Sequence, residues 1–223
     1  MITDRTDTSW WPDLARARVA IIAAGPSLTR EQCDTVRGLG YEAVAINESW
    51  RLTPGAFAHY ICDWQYARWK MPRPEALHPK TLRIIGTWPP NGATPEMGWM
   101  EKLQLHRLHI EPGKNRLMWN DHCIGAGGNS AFQMLNWVLR CGCRDIIFLG
   151  LDCHTPNMHW HGSHDHPEKP IQKDHTLERW KVAFHNAAQD PKLRGVRIYN
   201  CSPSTALNAF PCMPLDMLAK EAA

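Results

Sequence analysis

Five histidines fall within thirteen residues, at positions 154, 159, 161, 164 and 166. An imidazole titrates near neutrality, so it can move a proton during a reaction, meet a phosphate, or ligate a metal. The run His159-Trp160-His161 followed by His164-Asp165-His166 offers imidazoles and a carboxylate oxygen, a donor set suited to Zn²⁺. Glycine supplies the second kind of chemistry. Gly25-Pro26-Ser27-Leu28 follows an apolar run, and Gly125-Ala126-Gly127-Gly128-Asn129-Ser130 precedes a helical pattern. Small residues let the backbone approach a ligand closely. A helix that starts at such a turn aims unpaired N–H groups at an anion. The first turn is not the six-residue GxGxxG fingerprint, and it also reads as a plain strand-to-helix turn. Asp152, at the end of the apolar run Ile146-Ile147-Phe148-Leu149, can bind a ribose hydroxyl or a cation, or cap the turn it opens.

The elements that must carry these residues alternate. Strands are expected at 18–24, 41–46, 58–62, 82–86, 146–150 and 196–200. Helices are expected at 29–37, with Ser27 or Thr29 as cap, at 64–69, 131–140 and 176–188, and from Leu215. Leu177, Trp180, Phe184 and Ala188 recur at helical spacing and are expected to face the core. Alternating strands and helices imply an α/β fold: a Rossmann-like, mostly parallel sheet flanked by helices, with right-handed crossovers. In such sheets ligands bind at the carboxyl edge of the strands. Asn47 and Asp63 directly follow predicted strands, Asp152 lies two residues past one, and all three are expected there. One domain is expected over 1–223, with a Pro/Gly/Trp-rich insertion or irregular wall at about 87–120, containing a strand-like patch at 105–110, and a histidine-rich lid at about 153–175.

Composition narrows the classes. An apolar fraction of 43% is enough for a core, and a formal net charge of +3 implies no general nucleic-acid coat while leaving phosphate contact open. Eleven tryptophans are many for 223 residues; Trp64, Trp69, Trp88, Trp99 and Trp160 sit in polar company, as walls for a ring-shaped ligand or as packing under loops. There is no CxxC pair among the eight cysteines, no secretory h-region and no membrane-length apolar run. The expectation is a reduced, cytoplasmic protein with free thiols.

The ordered set AAGPSL, AINESW, GGNSAFQMLNWVLRCGCRDIIFLGLD and VRIYNCSPSTALNAFP, each at the end of a predicted strand or spanning one, resembles a known family. It is similar to the Rossmann-like group that holds bacterial CMP-sialic-acid-dependent sialyltransferases and proteins like 6-hydroxymethylpterin diphosphokinase. Uncharacterised phage-encoded proteins, some called morphogenetic, look the same, which would place this chain in the cytoplasm of a host cell. The resemblance runs from about Arg18 to Leu215. It implies that Gly25, Pro26 and Ser27 contact a nucleotide, that Asn47 and Asp63 stand at the second and third strand ends, and that Gly127, Gly128, Asn129 and Ser130 form a second nucleotide turn. It equates Asp152 with the acid of the family's GxD motif and places a general-base histidine in the lid. His175 is nearest in spacing, with His161, His164 and His166 in the same lid. The family's phosphate-binding tyrosine pair has no counterpart, because this lid contains no Tyr.

Ser202, Ser204 and Thr205, after the last predicted strand, either hold the base or sugar or form a turn capping the terminal helix. The function expected is a nucleotide-dependent, glycosyltransferase-like transferase, moving a group from a nucleotide or nucleotide-sugar donor to a hydroxyl on a glycan or a modified nucleic-acid base. His175, His164, His161 and Asp152 are its candidate catalytic residues, and no metal ligand set is assigned. The alternatives are pyrophosphoryl transfer with Mg²⁺, a non-catalytic protein that sequesters a nucleotide, and a phosphoesterase with Zn²⁺ or Mn²⁺ at the histidine cluster. That last reading is carried by the similarity of His159, His161, His164, Asp165 and His166 to the HxHxDH order of some metal hydrolases, a short motif that also arises by chance.

Overall fold

Short apolar runs bounded by Gly, Asn or Asp become strands buried on both faces, the pattern of a parallel sheet covered by helices. The computed structural model describes residues 7–87, 98–119, 122–154, 158–162 and 174–222. Its strands are β1 (Arg18–Ile22), β2 (Glu42–Ile46), β3 (Ala58–Ile61), β4 (Leu82–Thr87), β5 (His106–Glu111), β6 (Ile124–Gly125), β7 (Asp145–Leu149) and β8 (Arg197–Asn200). The helices are α1 (Arg30–Gly38), α2 (Trp64–Lys70), α3 (Gly98–Lys102), α4 (Ser130–Arg140), α5 (Asp174–Ala188) and α6 (Leu215–Ala222). All strand pairs are parallel, in the order β6-β5-β4-β3-β2-β1-β7-β8. The fold is therefore α/β and Rossmann-like.

The chain steps outward from β1 to β6, and α4 then carries it back across β3, β2 and β1. β7 enters on the far side of β1, in register from Arg18↔Asp145 to Ile22↔Leu149. Strand order reverses between β1 and β7. The connections on either side lead away in opposite directions there, which leaves a crevice at the carboxyl ends.

Side chains alternate between two layers. Val19, Ile21, Val44, Tyr60, Ile146 and Phe148 pack under α4 and α5 with Phe132, Trp137 and Phe184. Phe184 meets Phe148 and Phe132 edge-on at 5.8 and 5.5 Å. Ala20, Ile22, Ile147 and Leu149 face Cys33 and Val36 of α1 and Leu218 of α6. Further along, Ile61 and Ile85 face Tyr66, Ala67 and Met71 of α2 and its flank, and Met100 of α3. Each large aliphatic buried in this way contributes about 1.5–3 kcal/mol relative to exposure.

Two local expectations are sharpened. The 87–120 segment is not an irregular wall throughout: residues 98–102 form α3, and β5 is a full sheet strand between β4 and β6. Asn136, fully buried on α4, holds this end of the sheet. Its Oδ1 accepts from the N–H groups of Met118 and Gly125, both at 2.9 Å, and its Nδ2 donates to Met118 O at 3.0 Å. The cap of α1 is Thr29 rather than Ser27. Thr29 and Gln32 form a reciprocal capping box, while Ser27 is engaged elsewhere. None of the eight cysteines is in a disulfide, and no described helix is long and apolar enough to cross a membrane.

Candidate functional site

The crevice at the strand reversal opens into a cavity of about 500 Å³. The sheet contributes the carboxyl ends of its strands, and the helices contribute their amino-terminal parts. Ala23 to Pro26 follow β1, Ile46 and Asn47 close β2, Cys62 and Asp63 follow β3, and Gly150 to Cys153 follow β7. Gly128 to Ala131 and Gln133 belong to the start of α4, Leu177 and Trp180 to α5, and Met158 and His159 to the turn that overhangs the mouth.

Gly25 allows the two central turns to meet. Its N–H donates to Gly150 O at 2.8 Å. A Cβ there would lie 2.4 Å from Gly150 O and 2.4 Å from Asp152 Oδ2, and backbone oxygen cannot move aside. The contact is completed by Asp152, which is 3% exposed. Its Oδ2 accepts from Ser27 N–H at 2.8 Å and its Oδ1 from the Ser27 hydroxyl. Its backbone carbonyl accepts from Ala206 N–H at 2.7 Å and from the Thr205 hydroxyl at 3.3 Å. Asp152 thus ties three loops together at the cavity wall. Both carboxylate oxygens serve the β1 turn, an arrangement that sequence spacing alone does not reveal.

Backbone strain is gathered here too. Asn47 and Cys153, neither of them glycine, have φ of 51° and 55°, and both line the cavity. Asn tolerates this left-handed region better than most residues, and the Asn47 carbonyl is held by His59 Nε2 at 2.8 Å. Cys153 is buried, which pushes its thiol up to about 12 and leaves it unreactive near neutrality.

The mouth of α4 faces the same space. Asn129 caps the helix, its side chain accepting from Ala131 N–H at 2.7 Å and Phe132 N–H at 3.4 Å. Gly127 and Gly128 have φ of 55° and 67°. A Cβ on Gly127 would strike the Phe132 ring at 2.2 Å, so glycine is required for packing there. Among the described residues, the N–H groups of Gly128, Asn129 and Ser130 meet no protein acceptor. Trp180 stands beside this turn, its indole 3.4 Å from where a Cβ on Gly128 would lie, and its buried Nε1 has no hydrogen-bond partner among the described residues. The floor is neutral: Tyr60 donates to Gln133 Oε1 at 2.7 Å, and Gln133 Nε2 donates to Ala126 O at 3.0 Å. The lining contains Asp63 and Asp152 but, among the described residues, no Lys or Arg.

Gly25, Pro26, Asn47, Asp63, Gly128, Asn129, Ser130 and Asp152 therefore converge on one cavity. Ser27 and Gly127 support it from behind. Asp63 has a second task, capping α2 by accepting from Tyr66 N–H at 3.1 Å. The loop after β8 stands behind the β7 turn. Ser202 is buried and accepts from Leu151 N–H at 2.8 Å, bracing the β7 turn, and Ser204 meets His154 Nε2 at 3.1 Å; neither lines the cavity.

Of the candidate histidines, His161 is turned off the cavity wall. It stacks on His159 at 5.2 Å with an interplanar angle of 8°, and burial lowers its pKa against the opposing pull of Glu48. His164 and His166 lie outside the described residues, as do 163–173 of the expected lid. His175 falls in the first turn of α5, and its side chain is outside the described part. Among the described residues, the histidine on the wall is His159, with Nδ1 3.2 Å from Ala24 O; Trp160 N–H donates to the same carbonyl at 3.1 Å. If Nδ1–H donates, Nε2 carries the lone pair, and that nitrogen is buried. Among the described residues, no group of three or more His, Cys, Asp or Glu is placed to hold a metal ion.

Sequence reasoning also missed Trp180 as a wall. Its helical spacing marks an inward face, but only its height on α5, level with the strand ends, turns that face toward the cavity. No family model, curated protein or solved structure matches this chain.

Proposed function

We propose that this chain is a nucleotide-dependent transferase that takes its donor in the cavity at the β1/β7 reversal. The observation that carries the reading is the opening of α4 onto that cavity, with the N–H groups of Gly128, Asn129 and Ser130 unspent. Three N–H groups at a helix start form a seat for a phosphate or carboxylate oxygen. The resemblance to CMP-sialic-acid-dependent transferases points to a nucleotide-sugar. Asn47 and Asp63 would hold hydroxyls of the nucleoside or sugar, and Gly25 would let the backbone meet them closely.

In this reading His159, a wall residue whose Nε2 is buried in this structure, swings into the cavity to receive the proton of the acceptor hydroxyl. The acceptor oxygen attacks the activated carbon of the donor, and the nucleotide leaves with the bonding electrons. Its charge is met by the start of α4. The experiment is native mass spectrometry followed by calorimetry across nucleotides and nucleotide-sugars, with and without divalent cations. A nucleotide or nucleotide-sugar bound without metal is the expected result. His159→Gln should keep that binding and lower transfer by about a hundredfold or more. The proposal fails if no nucleotide binds.

A further inference from the structure

Of the large apolar side chains left exposed among the described residues, Met158, at 55%, is the one that lines the cavity. Apolar side chains scattered singly over a surface need no explanation, but this one is placed. The turn that carries it is pinned two residues on. Trp160 N–H donates to Ala24 O at 3.1 Å, and the Trp160 side chain packs on the core layer that α1 and α6 share. Gly162 N–H closes the turn on His159 O at 3.0 Å. The turn is thereby fixed at the mouth, while the Met158 side chain keeps its rotatable bonds and a polarisable sulfur. With these, methionine fits itself to an aromatic ring.

From α5, Leu177 and Trp180 add two more apolar side chains to the lining. Trp180 also sets how near the apolar lining comes to the anion seat. Its Cδ1 and Nε1 lie 3.4 Å from where a Cβ on Gly128 would be. The polar groups come from other elements: Asn47 and Asp63 from strand ends, and the N–H groups from the start of α4. The lining is thus of two kinds, brought close together. A ligand that is only an anion or only a sugar leaves Met158, Leu177 and Trp180 against water. One that joins a planar ring to an anion serves both kinds of lining.

We propose that Met158 is the residue that recognises the base of the donor, its thioether lying against the ring while the anion of the donor sits at the start of α4. The place of the anion rests on the donor reading above; the contact of the ring with Met158 does not.

The test is calorimetry of the full chain with AMP, CMP, their two nucleosides and ribose 5-phosphate. The tighter of the two nucleotides should bind at least about tenfold better than ribose 5-phosphate, which has the anion and sugar but no ring. Met158→Ala should weaken that nucleotide about five- to tenfold and leave ribose 5-phosphate within about twofold. Met158→Leu should keep most of the affinity, and Met158→Gln, similar in length but polar, should lose as much as the alanine variant. The side chain is exposed, so the thermal melts of all three variants should match the parent. Equal affinity for nucleotide and ribose 5-phosphate overturns the proposal. So does an equal loss of both in Met158→Ala, or equal losses in the leucine and glutamine variants, either of which would make the turn a matter of mouth shape. Nucleosides that bind as tightly as their nucleotides, with the same loss in Met158→Ala, keep the ring contact and remove the donor reading. Nucleotide binding that is indifferent to Met158 removes the ring contact alone, and no binding by any of these compounds removes both.

Discussion

At the scale of single residues, the site depends on groups that never touch its contents. His59 is fully buried on β3, and burial lowers its pKa to about 4. Its Nε2 meets Asn47 O, while its Nδ1 has no partner among the described residues. The ring is therefore neutral, with the proton on Nε2, and spends its one donor on the carbonyl of a left-handed residue that lines the cavity. Protonation favours the unfolded chain, where the pKa is near 6.5. Stability is then whole above pH 6.5 and falls as the pH drops toward 4. At about 1.36 kcal/mol per pH unit, that interval corresponds to about 3 kcal/mol. Urea melts between pH 7 and 4 should show this slope. His59→Phe, less stable at neutral pH because Asn47 O loses its donor, should have a visibly flatter profile. An unchanged slope would mean that other groups carry the acid sensitivity. None of this was legible from His59 itself, whose place in Ala58-His59-Tyr60-Ile61 marks only a strand. The choice among the lid histidines was equally hidden, because it depends on how the turn at 158–162 meets Ala24 O.

At the scale of elements, two helices start with similar caps and differ in what lies before them. Thr29 caps α1 within a reciprocal box, and Asn129 caps α4 at the cavity. Replacing either by Ala should cost about 1 kcal/mol of stability. Asn129→Ala should also weaken binding of a nucleotide found in the calorimetric screen, because the cap fixes the turn that presents Gly128, Asn129 and Ser130. Thr29→Ala should leave that affinity unchanged, and equal losses for both variants would mean that the start of α4 is not the anion seat. The positions of both helices were legible, since polar caps followed by a 3.6-residue apolar period are local signals. The strand ends were legible for the same reason: Asn47, Asp63 and Asp152 break apolar runs. β5 was only half legible. His106-Arg107-Leu108-His109-Ile110 alternates as a strand does, but its polar neighbours and the Trp/Pro-rich flank suggested an insertion. β4 and β6 settle its place by hydrogen bonding from either side, a relation made across the chain.

At the scale of the whole molecule, the parallel sheet separates stability from chemistry along the strands. The carboxyl edge holds the cavity, and the amino edge holds a charge ladder. Arg18, Asp145 and Arg197 are the first residues of β1, β7 and β8, paired in register. Asp145 accepts from Arg18 Nε at 3.1 Å, from Arg197 Nε at 3.2 Å and from its Nη2, and from the Tyr41 hydroxyl at 3.4 Å. Its side chain is 17% exposed against 30% and 43% for the two arginines, so solvent screens part of the attraction. Asp145→Asn should cost about 1–2 kcal/mol rather than the larger loss of a fully buried pair. Five residues of strand, roughly 16 Å, separate this ladder from the cavity, so nucleotide affinity measured well below the melting temperature should not change. Ser202→Ala provides the contrast. Its hydroxyl accepts from Leu151 N–H at the β7 turn, and losing it should lower both stability and affinity. If Asp145→Asn weakens binding as much as Ser202→Ala does, the two ends of the sheet are coupled, and the cavity is not the self-contained unit that the strand reversal between β1 and β7 implies.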